Sequence, residues 1–230
     1  MQQTQEKIQK QTQNPESAKS ILVKAILSGI VIGIGGIVYL NIENKYLGSF
    51  LFSLGLFTIL RYGFCLYTGK VGYIPERRPI YLREVGITLL GNILGTALTA
   101  FLIRLTKTGI AVHENAMTVM TNKTGDSPIS QLILGFFCGI LMFIAVDNGN
   151  RCKKENRDLS FIFGTVLPVM VFILCGFNHS IADCFYFFAS VAHSGQIGTG
   201  LLYLLLVIIG NALGGMSIPV AMKFFDRNSV

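Results

Sequence analysis

Long apolar runs alternate with short polar segments along the 230-residue chain, and this pattern predicts helices that cross a membrane. A membrane-spanning helix needs about 20 predominantly apolar residues. Six stretches meet that requirement, at residues 21–40, 47–68, 81–104, 129–146, 159–176 (continuing to about 190) and 198–222. The chain is therefore predicted to be an all-α membrane protein with six spans.

The segments between the predicted spans are polar, and we interpret them as loops at residues 41–46, 70–79, 105–128, 148–158 and 191–197. Residues 1–19 form a glutamine-rich tail, residues 20–222 the six-span domain, and residues 223–230 a second tail. A cleaved signal peptide needs an earlier apolar region and a small-residue cleavage site. We therefore predict no cleavage.

The Lys and Arg residues separate by side of the membrane. With a cytoplasmic N-terminus, fourteen fall on the cytoplasmic side and four on the other. The fourteen are Lys7, Lys10, Lys19, Lys24, Lys70, Arg77, Arg78, Arg83, Arg151, Lys153, Lys154, Arg157, Lys223 and Arg227. The four are Lys45, Arg104, Lys107 and Lys123. Since positive charge accumulates in cytoplasmic loops, both termini are predicted to be cytoplasmic.

Composition agrees with a chain surrounded by lipid. Hydrophobic residues make up 51% and charged residues only 13%, about half the charged share of a soluble domain. The net charge of +7 follows from topology, so we predict no nucleic-acid partner. The five cysteines are odd in number and form no CxxC pair, so neither disulfides nor a metal site is indicated. We expect no cofactor.

A short motif recurs half a chain apart. Gly91 and Asn92 begin the pentapeptide GNILG in the third predicted span, and Gly210 and Asn211 begin GNALG in the sixth. Because each half would contain three spans, an odd number, the two halves would cross the membrane in opposite directions, which is typical of an inverted repeat. Two coincident small-residue packing motifs are the alternative.

The second and fifth predicted spans are interrupted by glycine and polar residues, at 63–70 and at 176–183. A broken helix is tolerated in a membrane only inside protein or around a wet cavity, and paired breaks indicate a transport site. His179 lies in the second break, where an ionisable group indicates function. Thr68 lies in the first break, where it could face the pore or cap a helix.

Other polar and aromatic residues have simpler interpretations. His113 and His193 are interpreted as solvated loop residues, and the aromatic run 185–188 as lipid-facing or intersubunit packing.

Four segments together resemble the formate/nitrite transporter family. They are residues 52–56 (FSLGL), 66–69 (LYTG), 91–92 (GN) and 176–182 (GFNHSIA), and the resemblance extends over about residues 20–222. It implies an aquaporin-like protomer, a 3+3 inverted repeat with spans two and five broken, and a homopentamer with one pore per subunit. The implied activity is transport of small monovalent anions across a bacterial cytoplasmic membrane.

The resemblance also implies roles for single residues. His179 looks like the pore histidine, and Thr68 like the threonine that faces it. Lys123 looks like a vestibule lysine that attracts anions, and Gly69, Gly176 and Asn178 belong to the broken helices. Six residues match two apolar constrictions around the central chamber: Phe52, Leu56, Leu66, Tyr67, Met142 and Phe172.

Three positions depart from the family pattern. Cys65 stands where an acidic residue is usual, Gly139 where asparagine is usual, and Asp183 where asparagine is common. The first two changes are interpreted as losses of polar groups near the pore or its supporting network, which puts the substrate, though not the fold, in question. They favour hydrosulfide or broader weak-acid permeation over strict formate specialisation.

An apolar gate suits anions that can travel with a proton. A bare ion pays a large desolvation cost that a neutral acid avoids, and histidine has the only side chain with an unperturbed pKa near neutrality. Whether His179 shuttles the proton or only polarises the site is left open.

The alternative function is an aquaporin-like pore for small neutral solutes, but no paired Asn-Pro-Ala motifs occur. A scaffold would not need two broken helices. HExxH and GxSxG are absent too, so no enzyme is predicted.

Overall fold

The structure is a computed structural model that describes residues 16–190 and 197–227. Its helices are α1 (Ala18–Asn41), α2 (Lys45–Phe52), α3 (Leu54–Tyr62), α4 (Tyr67–Lys70), a 3₁₀ helix (Val71–Glu76), α5 (Tyr81–Arg104), α6 (Gly109–Thr124), α7 (Pro128–Glu155), α8 (Asp158–Leu174), α9 (Ser180–Ser190) and α10 (Ile197–Arg227). Lys7, Lys10 and His193 lie outside the described residues. The predicted all-α class is confirmed.

Within the described residues, four helices are long and apolar enough to cross a membrane: α1, α5, α7 and α10. The segment Lys45–Tyr62 together with Tyr67–Glu76 forms a fifth candidate, bent by 57° between its two parts. Helix α8 is apolar but has only 17 residues, and α9 follows it after a break. A sixth span thus depends on α8 and α9 acting together.

The expectation of a polar loop over residues 105–128 is wrong. Helix α6 occupies residues Gly109–Thr124 and buries Val112, Ala116 and Met120. These three residues recur every fourth position, so they form one apolar face in an otherwise polar sequence. His113 on this helix is half-buried, and its Nδ1 atom lies 2.9 Å from the carbonyl of Ala189. It is therefore not the solvated loop residue that the sequence suggested.

Two predicted spans end too early. Helix α7 continues nine residues beyond the predicted boundary at residue 146 and stops at Asn156, which has a left-handed conformation (φ 55°). An ion pair of 2.7 Å between Arg151 and Asp147, one turn apart, supports this polar extension. Helix α10 likewise continues to Arg227. The apolar stretch marks the lipid-contacting part of each helix and not its end.

The aromatic run on α9 is also placed differently from the sequence interpretation. Phe185, Tyr186 and Phe187 are buried inside the protomer, and Phe185 is fully inaccessible. Helix α9 packs among α1, α5 and α6, so these rings fill the protomer core instead of facing lipid. This packing fixes the position of the helix that begins directly after His179.

The two repeated glycine–asparagine motifs lie at the closest helix contacts. Helix α1 packs against α5, and α7 against α10, with backbones touching. A Cβ atom on Gly95 would lie 2.2 Å from the carbonyl oxygen of Ile26, and one on Gly214 only 1.9 Å from that of Phe136. Both glycines are therefore required by close backbone approach, as in other membrane helix pairs.

Replacing Gly95 with alanine is expected to destabilise the protein by about 1–3 kcal/mol, the usual cost of overpacking. The backbone of α1 that blocks the new methyl group cannot move aside as a flexible side chain would. Gly86→Ala on the same helix is the matched control, because nothing lies within 4 Å of its Cβ position. Thermal unfolding in detergent would measure both, and equal melting temperatures would contradict the proposed contact.

Candidate transport site

Both helix breaks begin with the same backbone motif. Gly63 and Gly176 each follow the end of a helix and have φ of 70°. The amide of the residue after each glycine donates a hydrogen bond to the carbonyl five positions before it. These bonds join Phe64 to Ile59 at 2.9 Å and Phe177 to Phe172 at 2.8 Å. Nothing lies within 4 Å of a Cβ on either glycine. The left-handed conformation, and not a lack of space, therefore explains why glycine stands there.

Asn92 of α5 satisfies the backbone groups freed by the first break. Its Oδ1 atom accepts a hydrogen bond from the Tyr67 amide at 2.8 Å. Its Nδ2 atom donates to the carbonyls of Ala25 and Cys65, both at 2.8 Å. Asn92 is fully buried, so one side chain compensates two backbone groups of the break, the Tyr67 amide and the Cys65 carbonyl, and links them to α1.

Asn211 of α10 serves the second break in the same way. Its Oδ1 atom accepts from the Ser180 amide at 2.8 Å. Its Nδ2 atom donates to the carbonyl of Gly135 at 2.7 Å and to that of Asn178 at 2.9 Å. The two asparagines thus make equivalent sets of contacts, one to each broken helix.

The two breaks bring His179 and Thr68 together. The His179 Nε2 atom lies 3.1 Å from Thr68 Oγ1, and only 2% of the histidine and 1% of the threonine is exposed. The other ring nitrogen, Nδ1, accepts from the Ala182 amide at 3.1 Å. A neutral imidazole accepting at Nδ1 carries its proton on Nε2. His179 therefore donates to the Thr68 hydroxyl oxygen, which leaves the threonine proton free for another acceptor.

Aromatic rings cover this pair on one side. The Phe172 ring stacks on the His179 ring, with centroids 5.3 Å apart and planes 18° apart. The Phe52 ring meets Phe172 edge-on at 6.2 Å. Phe52, Phe172 and His179 all line one cavity of about 80 Å³, which we call the outer cavity. Its other lining residues include Lys123, Asp183 and Tyr186.

A second cavity of about 790 Å³ shares no lining residue with the outer cavity, and we call it the inner cavity because the predicted orientation puts its lining on the cytoplasmic side. Leu56, Leu66 and Gly69 line it, together with Cys65. Its charged lining comprises Lys70, Arg77, Arg151, Lys153, Lys154, Glu16, Glu84 and Asp147. Cations outnumber carboxylates there, which favours the approach of anions.

The other four residues predicted to form the apolar constrictions are all buried. Met142 is 1% exposed and belongs to the protomer core. Tyr67 is also buried, and its hydroxyl donates to the carbonyl of Ile208 at 3.1 Å. Leu56 and Leu66 belong to the same buried apolar core.

Lys123 lies in the last turn of α6 and not in a loop. Its Nζ atom donates to Asn178 Oδ1 at 2.7 Å and lies 3.3 Å from Asp183 Oδ1. The second carboxylate oxygen of Asp183 accepts from the Tyr203 hydroxyl at 2.7 Å. The lysine therefore faces the outer cavity while bound to two side chains of the second broken helix.

The sequence profile described as Formate/nitrite transporter matches residues 1–225. The chain belongs to the formate/nitrite transporter family. This family comprises channels and transporters of small anions, and the four long apolar helices agree with a multi-pass membrane protein.

Several relatives of this family member are known. The chain is 25% identical over 246 residues to a formate-nitrite transporter of Plasmodium knowlesi, covering 91% of this chain and 77% of the relative. It is 25% identical over 243 residues to the formate channel FocB of Escherichia coli, covering 86% of this chain and 84% of the relative. The family extends across these two organisms, so membership does not identify the host membrane.

Solved structures of formate/nitrite transporters have the same fold. A pentameric formate channel with formate bound superposes with a TM-score of 0.73 at 24% identity, covering 93% of this chain and 98% of the other. An FNT family ion channel gives a TM-score of 0.75 at 20% identity, covering 90% of each chain.

One departure from the family pattern has a local explanation. A Cβ atom on Gly139 would lie 2.3 Å from the carbonyl oxygen of Asn211. Position 139 therefore faces the α7–α10 contact, beside the backbone of Asn211, whose side chain supports the second break. Cys65 does line the inner cavity, so that departure does concern a surface open to solutes.

Sequence reasoning missed Asp183 as a partner of Lys123 in this family member. Asp183 is the only charged residue of α9 and is 1% exposed. A single acid within an apolar helix needs a buried partner, so its position was a usable signal. Tyr203, which binds it from α10, could not be found from sequence because tyrosine is common in membrane helices.

Proposed function

We propose that the chain is a channel for small monovalent anions of weak acids, such as formate, nitrite or hydrosulfide. It assembles as a homopentamer with one pore in each subunit. Six spans form an inverted 3+3 repeat, in which α2–α4 and α8–α9 are the two broken spans. Both termini are cytoplasmic, in a bacterial cytoplasmic membrane.

The equivalent contacts of Asn92 and Asn211 support the inverted repeat. Each asparagine accepts from the first amide after a break and donates to a carbonyl within it. Each also donates to a carbonyl of a partner helix, α1 or α7. Membrane proteins built in this way bind their substrate where the two breaks meet, near the middle of the bilayer.

The observation that carries the proposal is the buried His179–Thr68 pair, in which His179 lines the outer cavity and Thr68 is followed by Gly69, which lines the inner cavity. Moving a bare ion into low dielectric costs on the order of 20 kcal/mol in the Born limit. The apolar layer therefore opposes the ion and admits its neutral acid. Permeation is coupled to protonation at this layer.

The histidine geometry favours polarisation over direct proton shuttling. A shuttle would have to load a second proton on Nδ1, which accepts from the Ala182 amide. The neutral ring instead donates through Nε2 to Thr68, whose hydroxyl can donate to an anion oxygen. The anion is then held by a hydrogen bond while it takes a proton from the aqueous solution, and His179 keeps its own.

Proteoliposomes containing the protein would test this proposal. Uptake of formate, nitrite and hydrosulfide is expected to exceed that of empty liposomes, with acetate and lactate slower. Uptake is expected to rise as the external pH falls, because the neutral acid fraction grows about ten-fold per pH unit above the acid's pKa. Uptake that does not rise as the external pH falls would contradict proton-coupled permeation. Passage of water or glycerol without anions would favour an aquaporin-like pore.

A further inference from the structure

The charge of Lys123 is matched inside the protein before any anion arrives. Its ammonium nitrogen lies 3.3 Å from Asp183 Oδ1. The Asp183 side chain is 2% exposed and the Lys123 side chain 19%. The pair is shielded from bulk water, where ion pairs lose most of their energy.

The carboxylate is held on both oxygens. Oδ1 faces Lys123, and Oδ2 accepts from the Tyr203 hydroxyl at 2.7 Å. Tyr203 is itself 1% exposed and lies on α10. Helices α6, α9 and α10 thus fix the carboxylate beside the lysine.

Lys123 keeps a neutral partner as well. Its ammonium donates to Asn178 Oδ1 at 2.7 Å. An ammonium group has three N–H donors, and both Lys123 and Asp183 line the outer cavity. An anion in that cavity can therefore approach the ammonium while the carboxylate remains beside it.

We propose that Asp183 sets the anion affinity of the outer cavity, because it competes with the incoming anion for Lys123 and so keeps that affinity low. This inference rests on the proposed channel function. The carboxylate nearly cancels the positive charge that the anion meets. An unpaired lysine would bind the anion so tightly that its release would be slow. A channel conducts only when its binding is weak enough to allow release.

The main test is the concentration dependence of formate uptake by Asp183→Asn. Removing the carboxylate unmasks Lys123, which keeps Asn178 as an acceptor, so the KM for formate is expected to fall roughly ten-fold. The maximal rate is expected to stay the same or fall, because release becomes slower. A KM that stays unchanged or rises would overturn the inference.

Two further variants test the charge pairing itself. Lys123→Gln leaves Asp183 without its cation and is expected to raise the KM more than ten-fold. Lys123→Gln combined with Asp183→Asn restores neutrality, so its KM should return to within a few-fold of the native value. If Asp183→Asn does not fold, Lys123→Gln still tests the inference, because an unchanged KM for formate in that variant would overturn it.

Glu114→Gln is the matched control. It removes one negative charge from an exposed position on α6, and its KM is expected to remain native. A similar fall in KM there would point to general surface charge and would overturn the role of Asp183.

A binding measurement separates this inference from the channel proposal. The shift in melting temperature of the purified proteins with added formate reports binding without flux. Tighter formate binding by Asp183→Asn, with no flux in the native protein, would refute the channel and support the inference. Flux through the native protein, together with unchanged formate binding by Asp183→Asn, would support the channel and refute the inference.

Discussion

Replacing His179 with asparagine is expected to lower formate flux by roughly ten- to a hundred-fold, while the protein remains folded and oligomeric. The variant removes the Nε2 donor that binds Thr68 at 3.1 Å. Without that donor the Thr68 hydroxyl is no longer oriented to donate to the anion, and a hydrogen bond to a charged group contributes about 1.5–3 kcal/mol, which corresponds to this range of rates. Initial uptake rates in proteoliposomes of matched protein content would measure it.

Asparagine is chosen because it separates the pore chemistry from helix capping. In the native chain, His179 Nδ1 accepts from the Ala182 amide in the first turn of α9. An asparagine side chain makes the same kind of contact as an N-cap, so α9 should begin at the same place. A size-exclusion profile like that of the native protein would verify this.

His113→Asn is the matched control for the histidine. His113 is half-buried on α6 and contacts the Ala189 carbonyl, and it is absent from the lining of the outer cavity. Its substitution is expected to leave formate flux near the native rate. Equal losses of flux in the two variants would contradict a specific pore role for His179.

The parts of the fold that could be predicted from sequence depend on local composition. Apolar length predicted α1, α5 and the lipid-contacting parts of α7 and α10. The positions of the two breaks were also readable, because Gly63 and Gly176 interrupt apolar runs and take the left-handed conformation that glycine permits. Each of these signals lies within a few neighbouring residues.

The parts that could not be predicted depend on contacts between distant segments. Lys123 looked like a free vestibule cation, since nothing in its neighbourhood in sequence reveals the pairing with Asp183. Gly139 looked like a lost polar group near the pore or its supporting network, and only the fold shows that the backbone of Asn211 lies against it. Helix α6 was missed because its buried face has only three apolar residues in a polar segment.

Replacing Asn211 with leucine is expected to abolish folding, which is the largest structural effect of any substitution considered. Leucine has as many non-hydrogen side-chain atoms as asparagine, but it leaves the Ser180 amide and the Asn178 carbonyl unpaired and removes the link to Gly135 of α7. Each unsatisfied buried group costs about 1–3 kcal/mol. Two of them together approach the lower end of the stability of a typical protein, about 5–15 kcal/mol. The yield of the monodisperse oligomer on a detergent size-exclusion column would measure the loss.

Asn92→Leu is expected to cause the same loss as Asn211→Leu, because Asn92 compensates an equivalent pair of backbone groups at the first break and makes an equivalent link to a neighbouring helix. Asn41→Leu is the control, since the Asn41 amide is exposed and bonds only to Ile37 within its own helix. That variant should fold normally. A folded Asn92→Leu beside an unfolded Asn211→Leu would contradict the equivalence of the two breaks, because each half of an inverted repeat must stabilise its own broken helix.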